Sequence, residues 1–287
     1  IVSSTRFFWA SLMMTTRWAV EVTPKWVLSQ ASKGLVHPGL KGKRVNVAFL
    51  PTQSENNVVQ ACRFLKESCL AKPVCHVPAR KFVDGHHVSD FIHRLAEVGV
   101  RDHFAISGDG QPSGEIKDSV DLLKIMHDMQ DTFDSIGFAA YPDGHASMSD
   151  ATLDQALIEK AEMFNPGKGF AVTQLCLKTQ SLVSWDERLF KRTPELDGFP
   201  VWVGIFGPVK LEFMRRLSQR LGFSKALDLE IVERERANTD GKLHGSDDLV
   251  REVQLLATTG KLCMDIRGFQ VSTFDDVDRS LTWINEV

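Results

Sequence analysis

The sequence predicts an α/β protein built as a closed (βα)8 barrel, and three observations lead to that fold. Short continuous apolar runs alternate with longer amphipathic stretches whose apolar residues recur three or four positions apart. Strands written as unbroken apolar runs are those of a parallel sheet covered on both faces. Eight such pairs fit within the 287 residues, the number that closes a barrel. An open doubly wound sheet is the alternative, but the glycine-rich loop that often follows its first strand is missing.

Taken in order, Trp18–Val22 precedes a helical stretch over Lys25–Ser32, and Val45–Leu50 precedes Val58, Cys62, Leu65 and Cys69. Val74–Val77 leads to Phe91, Leu95 and Val98, and Phe104–Ile106 to Ile116, Val120, Leu123 and Ile125. Ile136–Ala140 leads to Leu153, Leu157 and Ala161, and Phe170–Leu175 to the stretch from Leu182 to Phe190. Val201–Phe206 precedes Leu211, Met214, Leu217 and Leu221, and Leu262–Val271 precedes Phe274, Val277 and Leu281. Residues 223–260 exceed one loop; they read as helix, exposed polar insert ("ERERANTDGKLHGSDD") and a helix at about 247–258. The expected organisation is an arm or targeting remnant over 1–17 and one barrel domain over 18–287.

Composition narrows the function. Hydrophobic content of 43% and charged content of 25% belong to a globular chain able to bury a large core. A net charge of -3 argues against a nucleic-acid partner, which calls for a basic surface. No apolar run reaches the ~20 residues needed for a transmembrane segment. Five cysteines without a CxxC pair suit reduced, buried thiols better than a disulfide framework or a zinc site. The first 20 residues hold Arg6, Arg17 and many hydroxyls but no acid, as organellar transit segments do. Mitochondrial residence is expected from this, with an ordinary arm and a cytoplasmic protein as the alternative.

In a barrel, the residues where strands end decide the chemistry, because the βα loops form the active-site face. Strand one ends "AVEVTPK": Glu21 between valines is costly to ionise, so it is a general acid or a structural carboxylate held by a lysine such as Lys25. Strand three brings His76 to the mouth, either as a functional group or as a satisfied core histidine. Strand four ends "AISGDGQPSG", where Gly108 and Gly110 flank Asp109; the glycines admit a ligand close to the backbone, or simply make a turn. Strand five ends at Tyr141, the only tyrosine, with His145 four residues on. Strand six ends with Thr173 and Gln174, whose amide can read the edge of a pterin or purine-like ring or be satisfied by backbone. Lys160 is placed either to reach a phosphate or to face water. HExxH, GxSxG and Walker loops are all missing, and no metal set emerges. The sum is a flat, polar, phosphate-bearing organic ligand with proton transfer from Glu21.

The motifs "VEVTPK", "CHVPAR", "ISGD", "AAYPDGH" and "VTQ", in this order, resemble the methylenetetrahydrofolate reductase family in its short single-barrel form. The likeness covers roughly residues 18–222 and weakens from 261 onward. It implies a flavoprotein of one-carbon metabolism, in which NAD(P)H reduces FAD and FAD passes a hydride to 5,10-methylenetetrahydrofolate. By motif, Glu21 would be the general acid and Asp109 would sit near flavin and pterin. Gln174 would contact the folate substrate. His76, Gly108, Asp109, Tyr141 and His145 would line the FAD, and Lys160 would approach its phosphates.

Departures from the pattern accompany the likeness. Ser107 stands where members carry Arg, Ala48 where they often carry Thr, and Ala146 where a proline follows the histidine. Leu175, Cys176, Leu177 and Lys178 replace an aromatic run and an acid. Weak FAD binding, a flavin-independent variant and lost activity therefore stay open. So does the other reading: a degraded barrel kept as an accessory subunit of a mitochondrial assembly, or a homo-oligomer. The choice between NADH and NADPH is not written in the residues.

Overall fold

The computed structural model describes residues 17–145, 147–164, 167–210, 212–216 and 243–287. The expected (βα)8 barrel is present. Its strands are β1 (Trp18–Val22), β2 (Arg44–Val47), β3 (Lys72–Pro78), β4 (Asp102–Ile106), β5 (Ser135–Ala140), β6 (Gly169–Leu175), β7 (Pro200–Phe206) and β10 (Asp265–Ser272). Each pairs in parallel with the next, and β10 pairs with β1 to close the ring. The helices are α1 (Pro24–Ser32), α2 (Glu55–Glu67), α3 (Gly85–Glu97), α4 (Ser119–Asp128), α5 (Asp150–Met163), α6 (Thr179–Arg188), α7 (Asp247–Thr258) and α8 (Val277–Ile284). Two short antiparallel strands, β8 (Val209–Lys210) and β9 (Leu243–His244), stand outside the barrel.

Local chemistry sets where the helices begin. Thr23, Ser54, Asp84, Asp118 and Ser149 each accept a hydrogen bond from a backbone N–H of the first turn of α1 to α5. The Asp118 cap explains why α4 starts at Ser119 and leaves Ile116 buried in the preceding loop, outside the helix. The Asp84 cap likewise draws His86 and His87 into α3, where His87 Nε2 pairs with Glu55 at 2.7 Å. β2 ends at Val47 rather than Leu50, because the chain is already turning toward Pro51 and Leu50 is exposed. Residues 212–216 are helical; of the insert over 223–260, α7 fills the expected 247–258 stretch, and the part before residue 243 lies outside the described set, as do 217–222.

Outward strand residues such as Val45, Cys75, Val77 and Ile136 join the helices in the main core. Inward residues fill the barrel: Ala19, Val74, Phe104, Phe170, Val172 and Trp202 form its middle layer. Beneath them the Arg44 guanidinium lies 4.5 Å from the Phe170 ring centroid and 5.5 Å from that of Trp202. Ser135 donates to Asp102 at the same level, and burial lowers the Arg44 pKa while Asp102 opposes that. The lower end is thus plugged by side chains, and the open end is the one where the strands finish.

Four of the five cysteines are buried, and all five are free thiols, as expected. No described helix is long and apolar enough to cross a membrane.

The middle layer depends on one missing side chain. Gly137 lies in register between Phe104 and Phe170, and a Cβ there would stand 2.4 Å from Phe170 Cε2 and 2.6 Å from Phe104 Cδ2. Gly137→Ala is therefore expected to cost about 1–3 kcal/mol through overpacking. Urea unfolding measures it, and an unchanged midpoint would contradict the interior described.

Candidate functional site

Glu21 stands one residue before the end of β1, in register with Asn46 on β2 and Ser272 on β10. Alternation along β1 turns it inward above Ala19, which belongs to the middle layer. It lines a cavity of about 170 Å³ together with Tyr141, Thr173, Gln174, Gln270 and Ser272. Phe104, Ile106, Ala139 and Val172 make its apolar wall. None of the described lining residues is a cation.

Those surroundings explain the state of the acid. Burial, reinforced by the Asp275 carboxylate, pushes the Glu21 pKa from its ordinary 4.5 up to about 7. Lys25 is not among the causes of that shift. Tyr141 is half-buried, its phenol pushed up by burial, and its ring meets His145 edge-on at 5.5 Å. Thr173 holds two strands together: its Oγ1 accepts from Gly204 N at 2.8 Å, fixing β6 against β7. Gln174 is exposed and lines the rim of the cavity.

The expected site residues thus divide by place. Glu21, Tyr141 and Gln174 share the cavity at the mouth. His76 also points into the barrel, two positions above Val74, with its ring 4.9 Å from Phe104. Burial depresses its pKa to about 4, so it is neutral, and its Nε2 has no partner among the described residues. Gly108 and Asp109 line a separate cavity of about 250 Å³ with Phe49, Pro78, Arg80 and Lys81. Gly108 has φ +81°, and a Cβ there would come 2.8 Å from Pro78 Cβ, so the backbone approaches β3 as only glycine allows. His145 is exposed, its Nδ1 accepting from Ser147 N at 3.2 Å. Lys160 is buried on α5, not water-facing; burial lowers its pKa against the pull of Asp118 and Glu159.

Sequence reading missed three polar groups here. Gln270 and Ser272 reach the cavity from β10, and Asn46, 2% exposed, faces inward beside Glu21 with Oδ1 unpartnered. Their signal was present: polar residues two apart in "FQVS" and one in "VNV" mark inward positions of otherwise apolar strands. A larger cleft of about 780 Å³ lies beside it at the β6 and β7 exits, lined by Lys178 and Arg251 but also Asp247, Asp248 and Glu252. Cys176 also lines that cleft, its thiol pushed up to about 12 by burial. Among the described residues no group of three metal-ligand side chains occurs.

The sign of the Glu21 effect follows from its raised pKa. Between about pH 4.5 and 7 the unfolded chain ionises this carboxyl and the folded one resists, so stability is full below that window and lost through it. Glu21→Gln is expected to gain on the order of 2–3 kcal/mol over the wild type between pH 5 and pH 8. Urea unfolding at both pH values checks this; parallel pH dependence in the two proteins would refute it.

Comparison with known proteins agrees with the geometry. The family profile for methylenetetrahydrofolate reductase matches residues 39–266. The match begins after β1, so Glu21 rests on barrel geometry and motif rather than on that match. Among solved structures, an uncharacterized protein from Clostridium thermocellum that binds two copies of 5-methyl-5,6,7,8-tetrahydrofolic acid is similar at TM-score 0.61 and 12% identity, over 94% of each chain. A putative phosphonomutase from Burkholderia cenocepacia reaches TM-score 0.44 and 10% identity over 67% of this chain and 78% of that one. With β2 to β7 and most of the helices inside the matched span, the chain belongs to the methylenetetrahydrofolate reductase family.

Proposed function

We propose that the chain binds a reduced folate with its pterin in the Glu21 cavity, and that it acts as a methylenetetrahydrofolate reductase-type oxidoreductase. The observation that carries this reading is a carboxyl with a pKa near neutrality in a cavity walled by apolar groups and edged by two amides. Gln174 and Gln270 each offer a donor and an acceptor, which suits the donor–acceptor edge of a pterin. Glu21, holding its proton near pH 7, gives it to the folate nitrogen as the five-membered ring of 5,10-methylenetetrahydrofolate opens. The carbon left as an iminium then accepts a hydride, giving 5-methyltetrahydrofolate. The Clostridium thermocellum protein, which shares the fold, binds that product.

The flavin ring of the family fits residues present here. His76 Nε2 and Asn46 Oδ1 are buried polar atoms without partners, as a ligand edge requires, and Tyr141 and Gly108 stand at neighbouring exits. Bound there, FAD would supply the hydride and take it from NAD(P)H. The diphosphate is served less well. Arg80 gives its N–H groups to the carbonyls of Lys117, Gly108 and Gly110, and Lys81 gives its ammonium to those of Pro51 and Gln53. Ser107, in place of an arginine, accepts from Ser119 N. These commitments favour the second reading, a folate-binding barrel without turnover that serves as an accessory subunit. Mitochondrial residence remains part of the proposal, and fusing residues 1–20 to a fluorescent protein tests it.

Two measurements separate the readings. The purified protein is expected to bind 5-methyltetrahydrofolate by calorimetry, and Gln174→Ala to weaken it about tenfold, one amide hydrogen bond's worth. A Kd above roughly 1 mM for the wild type would sink both readings. FAD, held by ring contacts alone, is expected to be lost on gel filtration and regained on addition. Folate-dependent NAD(P)H oxidation with added FAD then marks the enzyme, and its loss in Glu21→Gln marks the acid. A protein that binds folate but never turns over is the accessory subunit.

A further inference from the structure

The exit of β10 is tied to the exit of β1 in an unusual way. After Ser272 the chain passes through Phe274 at φ 49° and Asp275 at φ 66°, two successive non-glycine residues in the left-handed region. Such residues persist only where the surroundings over-determine them, and they gather at functional sites. Three hydrogen bonds do so here. Thr273 Oγ1 donates to Glu21 O at 2.6 Å, Thr23 N donates to Asp275 Oδ1 at 3.1 Å, and Thr23 Oγ1 donates to Asp275 Oδ2 at 2.8 Å. The Phe274 ring packs at 4.7 Å on Phe213. Every one of these bonds lands on Glu21 or on the residue two beyond it.

We propose that Asp275 is the positioning residue of the Glu21 acid: latched to Thr23, it fixes the β1 exit and sets a second carboxylate against Glu21. The inference rests on the reading of Glu21 as the proton donor. The groups around Glu21 leave Asp275 as the charge that acts on it. β2, β6 and β10 present the neutral Asn46, Gln174, Gln270 and Ser272; β3 presents a neutral His76, and β5 a phenol. Burial is the larger cause that holds the proton on Glu21, and the latched carboxylate adds to it, because two carboxylates held close do not ionise together readily.

The test is a carboxyl titration by NMR on the full chain labelled with 13C-glutamate, without ligand, assigned through Glu21→Gln. Asp275→Asn keeps the shape and suits a left-handed backbone; Asp275→Gly suits it better and guards against a folding failure. Removing the like charge makes ionisation easier, so both variants are expected to lower the Glu21 midpoint by roughly half a pH unit to one. The alkaline limb of folate turnover should move down by the same interval, whereas a purely structural residue would change thermal stability and leave the midpoint in place. An unchanged midpoint in the folded variants overturns the proposal. A midpoint that falls while Glu21→Gln still turns over sustains the latch and removes the folate mechanism instead.

Discussion

Closure of the barrel between β1 and β10 is the constraint on which the rest depends. It brings Thr273 onto the carbonyl of Glu21 across 252 positions of sequence. Without that pairing Glu21 would be an acid on an edge strand, open to water and ionised at neutral pH. With it, the carboxyl sits among inward residues of neighbouring strands, and desolvation displaces its proton affinity. Fold and chemistry meet at one strand pair.

The interior then arranges itself by the alternation of side chains. The lower layer is polar and plugged by Arg44 between Phe170 and Trp202, and the middle layer is aromatic because Gly137 leaves room for two rings. Only the upper layer is polar and open. A ligand entering from the strand exits meets apolar walls with a few amides, a phenol and a carboxyl whose pKa is raised to about 7. That combination suits the proposed heterocycle, which hydrogen bonds would hold and the acid would protonate, and it offers little to a phosphate.

Much of this was legible in the sequence. The strands could be read because each is a short apolar run with one or two inward polar residues, and Glu21 stood out because a carboxylate between valines is costly. The separation of Asp109 from Glu21 was not legible. Both stand at strand exits, but the loop after β4 carries Asp109 toward Arg80 and Lys81, and no local pattern encodes where a loop goes. Lys160 was open between water and phosphate, and only packing could show it buried on α5. Asp275 was invisible for another reason: its effect comes from a left-handed turn and from hydrogen bonds to the other end of the chain.

The central claim is that the Glu21 cavity is where a reduced folate binds, and a crystal structure of the protein with 5-methyltetrahydrofolate tests it most directly. The account predicts the pterin seated above Phe104, within hydrogen-bonding distance of Glu21 and Gln174. A folate lodged in the cleft of Lys178, Asp247 and Arg251, with the Glu21 cavity left to solvent, would contradict it.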